Sequence, residues 1–355
     1  MEKRALIAMS GGVDSSVAAF LLKQQGYECI GCTMKLYNND DIGVKSRTCC
    51  SLNDVQDARS VAYKLNMKYY VLNFSDDFKN KVIDKFVESY ESGKTPNPCI
   101  DCNKYMKFEK LYNMAQNLEC NCIVTGHYAR IENIDGKYYL KKATDDTKDQ
   151  SYVLYNLTQE QLAHTLFPLG GLHKTKIRDI AKENGFINAS KPDSQDICFV
   201  PDGNYVKAIE RFSENKIKEG NFIDKNGKVI GTHKGIVHYT IGQRRGLGCF
   251  QKHVYVCKIS AQDNTVMLGD EKDLYKKEFI VKDFNWILGT PPAQSFSCSV
   301  KIRYKQKEHT ADIKVLDNNT VKILFEQEQK AITPGQAAVL YDGDIVLGGG
   351  TIITE

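Results

Sequence analysis

Apolar positions in the first half of the chain alternate between two textures. Ala5 to Met9 (ALIAM) is a short unbroken apolar run, the mark of a strand buried on both faces. SSVAAFLLKQQ follows as a helix closed by Gly26. ECIGCTM reads as a second strand. In NDVQDARSVAYKLN, Val55, Ala58, Val61, Ala62 and Leu65 recur at helical spacing. KYYVLNF predicts a strand, DDFKNKVIDKFVESY and NKYMKFEKLYNMAQN helices, CIVTGHY a strand and KTKIRDIAKENG a last helix. Strands alternating with helices predict βαβ units and a parallel sheet of Rossmann-like α/β type.

The texture changes near residue 205. One helical piece, YVKAIERFSENKIKEG, remains; after it come short alternating runs separated by turn residues. HVYVCKIS, NTVMLGD, SCSVKIRY, HTADIKVL, NTVKILF and AAVLYDGDIVLGGGTIIT are examples. Such spacing predicts small β-barrels. The expected organisation is an α/β domain over 1–205, a central β-rich domain over 206–275 and a C-terminal β-barrel over 276–355.

Composition narrows the setting. With 355 residues, 42% hydrophobic and 26% charged, the chain has the make-up of a soluble globular protein with two or three cores. A net charge of +4 does not exclude nucleic acid, which needs a local basic surface rather than a basic total. No apolar run is long enough to span a membrane, and the start, MEKRALIAMSGG, has too short an apolar stretch for a signal peptide. A cytoplasmic location is expected, where the 12 cysteines stay mostly reduced and are buried, catalytic or metal-bound.

The sharpest motif is SGGVDSS, Ser10 to Ser16, wedged between the first strand and the first helix. A small-residue turn there lets backbone N–H groups approach a phosphate, and the helix N-terminus adds partial positive charge. It lacks the lysine of the Walker loop, and the GKT at Gly93–Thr95 has Glu88 where that loop needs glycine. A plain serine-capped strand–helix turn is the bland alternative. The motif resembles the pyrophosphatase loop of N-type ATP pyrophosphatases, which cleave ATP between the α- and β-phosphates. By that resemblance Ala8, Met9, Ser10, Gly11, Gly12, Val13, Asp14, Ser15 and Ser16 bind ATP with Mg²⁺. Met34 lies along the adenine pocket and Gly126 lines the nucleotide.

The cysteines carry the second signal. Cys99 and Cys102 form a C-x-x-C in an apparent loop before the helical NKYMKF, which suits half a zinc site, a redox dithiol, cluster ligands or a nucleophile. TPNPCIDCNKYMKF, TGHYAR, KDQSYVLY, KPDSQDICFV and YTIGQRRGLG, with SGGVDSS and the β-rich tail, together resemble the tRNA-specific 2-thiouridylase (MnmA/TrmU) family over nearly the whole chain. The resemblance implies ATP-dependent adenylation of the wobble uridine of tRNA, then attack at C2 by sulfur from a sulfur-relay protein or cysteine desulfurase. Cys102 matches the first catalytic cysteine, and Cys198 the second, which carries a persulfide. Many members have aspartate where this chain has Cys99. Cys99, Cys102 and Cys198 could instead hold three irons of a [4Fe–4S] cluster, as related thiolases do. Zinc would need a fourth ligand such as Cys120 or Cys122. Cys29-x-x-Cys32 falls on a strand, where alternation sends the two side chains to opposite faces, and Cys49–Cys50 is without an assigned role.

The same resemblance assigns contacts to the tRNA anticodon arm. Asn97 and Cys99 meet the target base; His127, Lys148, Asp149 and Gln150 lie against the tRNA; Gln243, Arg244, Arg245, Arg303, Tyr304 and Gln336 reach the anticodon stem. Other enzymes of the ATP group, such as argininosuccinate synthetase, need neither Cys102 nor Cys198. A non-catalytic RNA-binding protein would not need SGGVDSS.

Overall fold

A computed structural model describes residues 3–38, 52–193 and 197–353. Cys49 and Cys50 lie outside the described residues. Strands β1 (Arg4–Ala8), β2 (Glu28–Lys35), β3 (Lys68–Asn73) and β4 (Cys122–Val124) form a parallel sheet with a short β7 (Thr165–Leu166), in the order β3-β2-β1-β4-β7. Alternation along the strands feeds two cores. Leu6, Ile30 and Cys32 enter one, Ala5, Ile7 and Cys29 the other, so Cys29 and Cys32 point to opposite faces. Helix α1 (Val13–Gln24) follows β1 and α2 (Leu52–Lys64) precedes β3.

Two longer helices flank the sheet, α3 over 75–91 and α4 over 98–117; both are π-wound in the middle, at Lys79–Ile83 and Cys102–Lys110. Helix α4 starts earlier than the apolar pattern suggests. Asn97 caps it by accepting from Cys99 N at 3.2 Å, and Pro98 opens it without needing a donor partner. The C-x-x-C is therefore the beginning of the helix, not a loop before it.

CIVTGHY is only partly strand. Thr125–Tyr128 leave the sheet, and the chain resumes as a hairpin, β5 (Ala129–Ile134) and β6 (Lys137–Lys142). After α5 (Lys174–Glu183) the helix predicted over 205–220 stops early, as α6 (Tyr205–Phe212). Ser213 ends it: its hydroxyl donates to Glu91 and accepts from Asn215 N, a local turn that competes with further helix.

A four-stranded sheet follows, made of β8 (Gly220–Ile223), β9 (Val229–His233), β10 (Tyr255–Ser260) and β11 (Thr265–Gly269). The last strands, β12 (Tyr275–Trp286), β13 (Ser295–Lys301), β14 (His309–Asp317), β15 (Thr320–Lys330), β16 (Ala337–Asp342) and β17 (Ile345–Ile353), pair in the order β12-β15-β14-β13-β16-β17. Pairing of β17 back to β12 closes them into a six-stranded barrel with no free edge. The β5–β6 hairpin attaches to this barrel through Ile345↔Lys141 and the Arg130–Asp344 ion pair at 2.6 Å.

Candidate active site

The sheet order reverses about β1, and open α/β sheets bind ligands outside the carboxyl ends of their strands at such a point. SGGVDSS leaves β1 there, and Thr125-Gly126-His127 leaves the neighbouring β4. Helix α1 begins at Val13 with Gly12 as its cap and no side chain bonded to its first N–H groups. A helix start whose N–H groups no side chain caps, with the helix dipole behind it, is what a phosphate requires. The turn is braced from within: Ser15 Oγ accepts from Ser10 N at 3.2 Å, and Ser15 and Ser16 Oγ each donate to Gly12 O at 3.1 Å. Asn188 Nδ2 donates to Gly11 O at 3.0 Å and to Ser16 Oγ at 2.9 Å.

Two glycines are needed here. Gly11 has φ +74°, and a Cβ on it would fall 2.4 Å from Asp54 O. A Cβ on Gly126 would fall 2.9 Å from Ser15 N and 3.0 Å from Asp14 C, so β4's exit lies directly on the start of α1. A bare, N–H-lined cradle of this kind fits the phosphates of ATP. Met34, inside β2 near its end, packs against the neighbouring core.

A network of charges lies beside the turn, and sequence reasoning did not find it. Lys174 Nζ donates to both oxygens of Asp14, at 2.7 and 2.8 Å, and pairs with Asp193 at 2.8 Å. Tyr128 OH also donates to Asp14, at 2.6 Å. Asp193 takes two further cations, Lys148 and Arg178, each at 2.9 Å. Burial alone would raise the Asp193 carboxyl, but the hydrogen bonds from Lys174 and Lys148 outweigh it and bring it down to about 2. On the other side of the turn Lys191 bonds Asp54 at 2.6 Å, Asp57 at 2.7 Å and Gly11 O at 3.2 Å.

The cysteine region sits between this domain and the barrel. Cys99 is exposed, whereas Cys102 is half-buried and packs, like Cys198, against one shared apolar core. Cys102 lies a full turn inside α4. Cys99, not Cys102, is the cysteine in the first turn of the helix. Cys198 is pinned by Tyr37 OH, which donates to its carbonyl at 2.8 Å, and by Phe199, edge-on to Phe78 and Phe86. The buried Asp101 pairs with Lys85 at 2.6 Å. The barrel reaches the same place: Gln336 Nε2 donates to Thr95 O at 2.7 Å, and Thr95 N to Pro334 O at 2.9 Å. Burial first, then the nearby Asp149 and Cys99, push the Tyr304 phenol up to about 12.

Among the described residues no three His, Cys, Asp or Glu side chains come together as a metal-holding set. Cys120 and Cys122 are buried thiols, raised by burial to about 11 and about 12.

The predicted tRNA contacts divide into two groups. His127 is buried between Phe108 and Phe167. Lys107, a donor only, approaches its Nε2 at 3.2 Å, so Nε2 accepts and Nδ1–H donates to Thr125 Oγ1 at 2.7 Å. Burial, then Lys107, hold the ring's pKa far down, and it stays neutral. Asp149 accepts from Ala143 N, Ser151 N and Ser151 Oγ, and Gln150 Oε1 from Tyr128 N, so these side chains brace the site from inside. Gln243 ties its own turn, accepting from Thr240 N and donating to Arg245 O, which leaves Arg244 and Arg245 exposed. Arg303 donates to Ala331 O and Thr333 Oγ1 at the wall of a cavity of about 590 Å³. Gln243, Lys305 and Lys330 share that wall.

A parallel sheet with an uncapped glycine turn at its switch point, a pair of cysteine segments and a closed barrel over them defines a nucleotide-binding α/β enzyme with appended β domains. Family models agree: residues 3–202 match a tRNA methyl transferase HUP domain, 207–270 a tRNA methyl transferase PRC-barrel domain and 276–352 an aminomethyltransferase β-barrel domain. Curated relatives are named differently, as tRNA-specific 2-thiouridylase MnmA. The chain is 52% identical to that of Clostridioides difficile (99% of this chain, 98% of the relative) and 51% to that of Clostridium beijerinckii (99% of each). It is 50% identical to that of Clostridium acetobutylicum (99% of this chain, all of the relative). The chain belongs to the tRNA-specific 2-thiouridylase family. Where the names disagree, the full-length relatives outweigh a description attached to a domain model.

Proposed function

We propose that this chain is an ATP-dependent sulfurtransferase that replaces the 2-oxygen of the wobble uridine of tRNA with sulfur. The observation that carries the reading is its 52% identity, over 99% of its length, to a protein named tRNA-specific 2-thiouridylase. The uncapped start of α1, with Gly126 bare against it, suits a polyphosphate and supports the same reading.

In this reading the uridine O2 attacks the α-phosphorus of ATP. The bond to the β-phosphate oxygen breaks, pyrophosphate leaves, and AMP remains on O2 as a good leaving group. Mg²⁺ supplies charge neutralisation to the phosphates; it needs only one or two carboxylates, and Asp14 is the one on the turn. A persulfide on Cys198, loaded by a sulfur-relay protein or cysteine desulfurase, attacks C2 through its terminal sulfur and expels AMP. The Cys102 thiolate then attacks the Cys198 sulfur, the S–S bond to the base breaks, and a Cys102–Cys198 disulfide is left for an external thiol reductant. Asn97 and Cys99 meet the target base, which has to leave its stack to be reached. The arginines on the 239–248 turn and the cavity beside Arg303 receive the anticodon stem.

Pyrophosphate release from ATP, with and without unmodified tRNA, tests the first half. Release that depends on tRNA, and survives Cys198→Ser while thiolation does not, is the expected result. No release, or release indifferent to tRNA, would overturn it.

A further inference from the structure

The chain that follows α5 comes back to the nucleotide turn and takes hold of one backbone atom, the carbonyl oxygen of Gly11. Asn188, only 2% exposed, donates from Nδ2 to Gly11 O at 3.0 Å and to Ser16 Oγ at 2.9 Å. Ser16 Oγ in turn donates to Gly12 O, so one side-chain amide steadies both carbonyls of the turn. Lys191 Nζ reaches Gly11 O from the same segment at 3.2 Å, and is itself held by Asp54 at 2.6 Å and Asp57 at 2.7 Å on α2. An ammonium has three donors, and these contacts occupy all of them, which leaves none for a phosphate. Burial would lower the Lys191 pKa, but the hydrogen bonds to Asp54 and Asp57 outweigh it and raise it, so the donor stays charged.

The peptide between Gly11 and Gly12 is trans, so its C=O and N–H point to opposite sides. Glycine on both flanks lets such a peptide turn over at little steric cost. Two donors on Gly11 O oppose that rotation and send the Gly12 N–H away from the 188–191 segment. Among the described residues no hydrogen bond takes up that N–H, and it stands directly before the uncapped start of α1. We infer that Asn188 and Lys191 are positioning residues that fix the Gly11–Gly12 peptide with its N–H toward the phosphates of ATP. The inference rests on the proposed ATP site. Neither side chain touches the nucleotide in this account; both act through one backbone amide.

The test is the ATP dependence of tRNA-dependent pyrophosphate release in Lys191→Met and Asn188→Leu, each similar in size to the residue it replaces and lacking its donors. Lys191→Arg keeps a donor and serves as the conservative variant. Melting temperature, ATP binding and tRNA affinity are measured alongside. KM for ATP should rise about tenfold or more in both variants, the loss of one N–H bond to a charged group. At saturating ATP kcat, and the Kd for tRNA, should stay within about threefold of wild type, a split that general loosening of the fold does not produce. Lys191→Arg should recover part of the loss. An unchanged KM in both folded variants would overturn the inference. So would a rise confined to one of them with the other folded and unchanged, or equal loss of ATP and tRNA binding. Should one variant fail to fold, the other decides on the same criteria. Wild-type protein that binds no ATP would defeat the proposed ATP site itself, an outcome distinct from normal wild-type binding with indifferent variants.

Discussion

Gly126→Ala probes the nucleotide cradle most sharply. The new Cβ would lie 2.9 Å from Ser15 N, 3.0 Å from Asp14 C and 3.1 Å from Asp14 Cβ. Two of these atoms are backbone and the third is fixed to it, so no flexible side chain can yield. Carbon contacts settle at about 3.5–4.0 Å, which means that the first turn of α1 must retreat by about 0.5 Å. Such overpacking costs about 1–3 kcal/mol. The retreat also moves N–H groups aimed at phosphate, and a hydrogen bond to a charged group is worth about 1.5–3 kcal/mol. Losing one weakens ATP binding about 10- to 100-fold. The assay is tRNA-dependent pyrophosphate release against ATP concentration, with Gly171→Ala as control because nothing lies within 4 Å of a Cβ there. KM for ATP should rise at least tenfold in Gly126→Ala, with a melting temperature lower by about 2–4 °C per kcal/mol. A KM within twofold of wild type in the folded variant would refute the reasoning.

Three further outcomes are expected. Arg244→Ala with Arg245→Ala should weaken tRNA binding and lower the slope of log affinity against log salt by about 1.5; the same slope in a filter-binding series would remove these residues from the interface. His127 is held neutral in the fold, so its folded pKa lies below the unfolded value of about 6.5; its contribution to stability is full above that pH and is lost as pH falls below it. Melting curves should therefore drop between about pH 6.5 and pH 5 in wild type and less in His127→Gln; equal slopes would contradict the assignment. Thr95→Pro removes the N–H bonded to Pro334 O, and should loosen the barrel from the cysteine segment. Faster protease cleavage near that segment is the readout, and unchanged cleavage the contrary result.

What the sequence disclosed and what it hid follow from the range of each signal. Runs such as ALIAM and ECIGCTM and the turn SGGVDSS carry local instructions, for strands and for a small-residue turn into a helix, and the structure repeats them. The start of α4 was misread because Pro98 and Cys99 look like loop residues, yet proline is favoured in a first helical turn. That shift of one turn puts Cys99 in the first turn of the helix and Cys102 a turn further in. The Asp14–Lys174 pair spans 160 positions in the chain, and no local pattern announces it. Lys174 opens KTKIRDIAKENG, and that helical pattern carries no trace of its partners Asp14 and Asp193. Tyr128 and Gln150 stood inside quoted motifs, but only the fold turns one toward Asp14 and the other back to the Tyr128 backbone. The β5–β6 hairpin gave no sign that it would join a barrel 200 residues away, because the join is made by one ladder pair and by polar contacts of Arg130, Lys141 and Lys142 with residues far along the chain.

Mass analysis of the nucleosides in bulk tRNA from a strain lacking this gene tests the central claim most directly. The account predicts loss of wobble 2-thiouridine derivatives, restored by the wild-type gene but not by Cys198→Ser. Unchanged 2-thiolation in the deletion strain, or full restoration by Cys198→Ser, would contradict it.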